Sequence, residues 1–142
     1  MTREKLEQYT DLQREIEEIK EKIRKTEREI ARIEEEGTVK DKVMGGLGGL
    51  QSFKIEGYPT QQLSRKRTLL YTRKATLSQL EIEASETLNQ VEEFIAGIED
   101  SRMRRIINLR YIENLSWNKV ADKIGGGNTE DSIRMAFNRF MK

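Results

Sequence analysis

The side chains with the most chemistry to offer stand at the end of the chain, in NTEDSIRMAFNRFMK, residues 128–142. Read as a helix at about 100° per residue, Ile133, Phe137 and Phe140 define one direction. Asn128, Asp131, Met135, Asn138 and Lys142 then fall on the opposite face, with Ser132 and Arg139 flanking it on one side and Arg134 on the other. Asparagine amides and arginine guanidinium groups can read adenine and guanine edges in a major groove. Ser132 suits either a base or a phosphate, and Lys142 suits a phosphate. Asp131 has two readings, an acceptor for a cytosine amino group or a first-turn acid favoured by the helix macrodipole. Thr129 joins this candidate nucleic-acid-contacting set and, like Asn128, offers a cap at the start of the same helix.

Such a face needs a second helix to hold it. Trp117, Val120, Ala121 and Ile124 recur at i, i+3, i+4 and i+7, the buried stripe of a short amphipathic helix with Ser116 as its N-cap. Gly125-Gly126-Gly127 ends that helix with positions free to take positive φ. In the helix that follows, Ile133, Ala136, Phe137, Phe140 and Met141 form the next apolar stripe. An additional short helix precedes the pair, after Gly97 and with Asp100 or Ser101 as its cap. Two small one-faced helices joined by a glycine turn have the spacing of a helix-turn-helix. In this frame Trp117 and Tyr111 are core residues rather than base-stacking platforms. Arg102, Arg104, Arg105 and Arg110 are expected in part to face backbone phosphates, with at least one pairing with Glu99 or Glu113.

The run LRYIENLSWNKVADKIG, followed by a capped helix ending in RFM, resembles the helix-turn-helix of sigma factor region 4. It is similar also to phage regulators of late transcription of the ArpU and RinA type. Asp41 and Val43 match the start of their glycine-containing linker; Arg105, Ile107, Arg110, Tyr111, Ser116, Trp117, Val120 and Ala121 match the rest of their pattern. Only the last forty-odd residues carry specific likeness. The resemblance implies a sequence-specific transcriptional regulator, phage or prophage encoded, acting on late genes through double-stranded DNA. The alternatives it leaves open are a sigma-like factor that binds RNA polymerase and a small terminase-type DNA-packaging subunit. No segment resembling the promoter-melting region 2 of sigma factors is present, which counts against the first.

Composition narrows the remaining classes. Cysteine and histidine are both absent, which removes disulfides, thiolate metal sites and the commonest general base. The expectation is therefore a protein that is no enzyme and needs no metal or other cofactor. Charged residues make up 36% and hydrophobic ones 35%, which suits long solvated helices sharing a narrow seam. Met1-Thr2-Arg3 leads into charge, and no apolar run approaches the roughly 20 residues that span a bilayer, so the expected location is cytoplasmic, with no membrane partner. Net charge is −3 over residues 1–36, +1 over 37–98 and +3 over 99–142. The positive end coincides with the helix-turn-helix, as nucleic-acid binding prefers.

The first 97 residues read as scaffold. Tyr9, Ile16, Ile23 and Ile30 recur every seven, as do Leu12, Ile19, Thr26 and Ile33, giving a heptad seam in a helix over about 2–36. A seam so narrow cannot bury itself alone. A second long helix, from Thr60 to about Gly97, carries Leu63, Leu70, Leu77, Ala84 and Val91 at the same period. Between them, residues 37–59 hold six of the ten glycines and the only proline, and read as a linker. Its glycines lack the G-K-[ST] of a phosphate loop, so a hinge is the better reading. The predicted fold is all-α: a long helical hairpin or coiled coil over 1–97, followed by a helix-turn-helix module over 98–142. The hairpin could close within one chain or between copies, and a dimer is expected. Arg65, Lys66, Arg67, Arg73 and Lys74 form a cluster without an acid among them. Pairing with the acidic first helix is favoured there over phosphate contact.

Overall fold

The computed structural model describes residues 1–45 and 60–142. The fold is all-α, with no strand among the described residues. Helix α1 spans Arg3–Gly45 and α2 spans Thr60–Ala96. Three short helices follow: α3 (Ser101–Ile107), which runs on as a π-helical turn over Asn108–Ile112, then α4 (Trp117–Ile124) and α5 (Glu130–Phe140). Helix α1 continues through Gly37 to Gly45, beyond the end expected at Glu36. The rest of the linker reading, at 46–59, and the phosphate-loop question it raised lie outside the described residues. No helix among the described residues is long and apolar enough to cross a membrane.

Packing divides the chain into two compact units. One is Ile16–Gln79, where parts of α1 and α2 run antiparallel. Ile23, Ile30, Ile33 and Leu63 are buried along this seam, and Leu70 packs against it. The narrow seam thus finds its partner within the same chain. Thr26, the polar member of the heptad, is 1% exposed and fully used. Its hydroxyl donates to the Lys22 carbonyl at 2.9 Å and accepts from Arg73 Nη1 at 2.5 Å. The basic cluster of α2 is turned to the same purpose: Lys66 bonds Glu29 at 2.6 Å and Arg67 bonds Glu34 at 2.5 Å. The Lys66 hydrogen bond holds the Glu29 carboxyl below the usual carboxylate range.

The other unit is Met1–Glu15 together with Leu80–Lys142. Its core joins Ile106, Ile107, Val120, Ile133 and Phe137 from the short helices to Leu6 and Tyr9 of α1 and to Val91 and Ile98 at the end of α2. The three short helices therefore share one interior with the ends of both long ones. Short amphipathic helices have too little apolar surface to fold by themselves, and this shared burial supplies what they lack.

Candidate nucleic-acid interface

Each short helix begins where its sequence can satisfy the free amides of the first turn. Asp100 accepts from the Arg102 amide at 3.0 Å, and Ser116 Oγ accepts from the Lys119 amide at 3.3 Å. Thr129 and Ser132 cap α5 reciprocally: Ser132 N donates to Thr129 Oγ1 at 3.1 Å, and Thr129 N donates to Ser132 Oγ at 2.9 Å. The turn between α4 and α5 takes φ of 71°, 66° and 75° at Gly125, Gly126 and Gly127, a backbone that side-chain-bearing residues rarely adopt. Asn128 locks it, donating Nδ2 to the Gly125 carbonyl at 2.6 Å while its Oδ1 accepts from Arg102 at 2.8 Å.

The π-helical turn before α4 widens the helix so that Glu113 N reaches the Asn108 carbonyl at 3.0 Å. Asn114, at φ 59°, then reverses the chain into α4. Arg110 braces this corner by donating to the Leu115 carbonyl at 2.9 Å and stacking over the Trp117 ring at 4.8 Å. Trp117 in turn lies 5.3 Å from Phe137, and Tyr111 lies 5.5 Å from the same ring. Both aromatics are thus packing residues. Burial pushes the Tyr111 phenol above its ordinary pKa.

Comparison with protein-family models, curated proteins and solved structures finds no match to this chain.

The outward face of α5 is solvent-exposed at Asp131, Arg134, Met135, Asn138, Arg139 and Lys142, with Met135 at 59%. Arg134 pairs with Asp131 at 2.7 Å and lies 3.7 Å from Glu130. Exposed pairs of this kind are worth little and exchange readily for a stronger anion. Three of the expected contact residues carry local hydrogen bonds. Asn128, Thr129 and Ser132 are engaged in building the turn and the cap rather than standing free on the face. Phe140, expected in the core, is 41% exposed and touches Phe94 with ring centroids 6.4 Å apart.

The arginines ahead of the turn are mostly structural. Arg104 donates to the Ile98 and Glu99 carbonyls, Arg105 to the Lys123 carbonyl at 3.2 Å and Arg102 to Asn128. The expected pairing with the Glu99 or Glu113 carboxylate is not what holds them; the Asn128 side chain holds Arg102, and backbone carbonyls hold Arg104, Arg105 and Arg110. Carbonyls at a helix C-terminus lack intrahelical partners, so a nearby guanidinium satisfies them. In the opposite sense, one residue of the site was not anticipated. Arg3 donates Nη1 to Asn138 Oδ1 at 3.1 Å, bringing the first turn of α1 beside the last turn of α5. No local periodicity could reveal a pairing across most of the chain.

Among the described residues no group of His, Cys, Asp and Glu side chains could hold a metal ion.

Proposed function

We infer that this chain binds double-stranded DNA sequence-specifically as a transcriptional regulator, with α5 lying in the major groove. The observation that carries this reading is the fixed relation of α4 and α5. Capping, the glycine turn and a common core hold α5 with Ile133 and Phe137 buried and its polar face free. On that face Arg134, Asn138 and Arg139 have the geometry of base or phosphate donors, Met135 offers apolar contact and Lys142 a phosphate contact. The finer reading, a phage late-gene regulator, rests on the resemblance carried by Arg105, Arg110, Ser116, Trp117 and Val120. Self-association as a dimer would match two half-sites. RNA polymerase is the further partner that the sigma-type likeness suggests.

The test is a mobility shift of the full chain against fragments of the encoding genome. Replacing Arg134 with Ala should cost about 1–3 kcal/mol on the selected site and relax preference at one base position, while replacing Arg139 should weaken binding to every fragment alike. Variants that bind every fragment as the parent does would remove α5 from the interface.

A further inference from the structure

The cations of α5 do not stand alone. A groove between the first turn of α1 and the last turn of α5 is lined by Thr2, Arg3, Glu4, Asn138, Arg139 and Lys142, among others. Among the module's arginines, Arg139 is the one whose guanidinium has no hydrogen-bond or ion-pair partner among the described residues, and Lys142 has none either. Arg3 is held over the same groove by Asn138 at 3.1 Å and by Glu7 at 3.2 Å through Nε, while its Nη2 takes part in neither bond. Its pair with Glu7 joins side chains that are 49% and 52% exposed, so it is screened and easily outcompeted. Even with Glu4 and Glu7 counted, cations outnumber carboxylates here.

We propose that this groove binds a backbone phosphate of duplex DNA, with Arg3, Arg139 and Lys142 as a clamp and Asn138 as the residue that positions Arg3. The proposal rests on the DNA reading above and adds a residue from the far end of the chain to its interface. A planar guanidinium with free N–H groups makes short, charge-assisted bonds to phosphate oxygens, stronger than its present neutral bond to an amide. Recognition helices in helix-turn-helix proteins read bases with their N-terminal residues. A groove at the C-terminal end of α5 is therefore placed to take the flanking strand.

The test uses the full chain and a duplex of about three helical turns, with affinity followed against salt concentration. Arg3→Ala should weaken binding severalfold on any sequence and lower the slope of log K against log salt by about one. Glu4→Gln, which removes a carboxylate from the groove, should tighten binding, a gain that no folding defect can mimic. An unchanged slope in Arg3→Ala, with parental salt-dependent binding intact, overturns the clamp and leaves the DNA reading standing. Should Arg3→Ala melt early, Glu4→Gln decides: tighter binding supports the clamp and unchanged binding overturns it. Failure of the parent chain to bind any duplex in a salt-dependent way removes both the clamp and the DNA reading.

Discussion

Arg110 and Tyr111 are neighbours in sequence with opposite tasks in one corner of the molecule. The guanidinium of Arg110 spends its donors on a loop carbonyl and lies against Trp117, so its charge is used for bracing, not for ligand contact. The Tyr111 ring is 4% exposed and packs on Phe137, and burial disfavours its phenolate. That shift has a consequence for stability. The folded state keeps the phenol neutral beyond the pH at which the unfolded chain ionises it, at about 10. The stabilising contribution is thus complete below about 10 and is lost as pH rises through the raised folded value. Thermal melts at increasing alkaline pH should show the parent losing stability faster than Tyr111→Phe, with the two curves parallel below about pH 9. Parallel curves throughout the alkaline range would mean that the buried phenol does not titrate with unfolding.

At the scale of elements, the seam of α1 with α2 shows how one polar residue is accommodated in a heptad. Hydrophobic patterning alone recommends valine at position 26, because apolar burial in a seam is favourable. The geometry argues the other way. Thr26 Oγ1 is the 2.5 Å acceptor for Arg73, a partly buried cation whose other acceptor on this element, the Lys22 carbonyl, stands at 3.5 Å. Depriving a charged donor of its partner costs about 1–3 kcal/mol, more than one extra buried methyl returns. Thr26→Val should therefore destabilise the chain by about 1–2 kcal/mol in chemical denaturation. A gain in stability would show that Arg73 finds water instead. The turn between α4 and α5 is a second element where one residue type is required. A Cβ at Gly125 would meet nothing within 4 Å, so the demand there is for backbone conformation and not for space.

At the scale of the molecule, the short helices owe their stability to residues far away in sequence. Leu6 is 0% exposed and belongs to the same core as Ile106, Val120, Ile133 and Phe137. Leu6→Ala should cost about 2–5 kcal/mol, and the loss should be seen by the fluorescence of Trp117 as fully as by helical circular dichroism. A variant that melted α1 while leaving Trp117 in its native environment would show the helix-turn-helix to be independent. The same coupling gives the Arg3 contact its meaning. Because residues 1–15 are part of the core that supports α5, Arg3 is carried on a rigid helix and not on a loose arm.

Much of this architecture is determined by local sequence. Heptad spacing places Tyr9, Ile16, Ile23 and Ile30 on one line of α1 and Leu12, Ile19, Thr26 and Ile33 on the other; the structure buries all of them but Ile16 and Ile19, which are half-buried. The caps at Asp100, Ser116 and Thr129, the glycine turn and the apolar stripes of α4 and α5 follow from residue types at fixed offsets, because helical geometry and first-turn amides are local matters. Angle around a helix axis, however, says which way a side chain faces and not what it meets. Tertiary structure alone decided that α1 pairs with α2 of the same chain along Ile30, Ile33 and Leu63. It decided also that packing joins residues 1–15 to the C-terminal helices instead of separating the chain at 97. Long flexible side chains are the extreme case. Arg102 and Arg105 reach the Asn128 amide oxygen and the Lys123 carbonyl, which lie within range only after the helices have packed. Arg3 meets Asn138 for the same reason, since a pairing across 135 residues has no period to announce it.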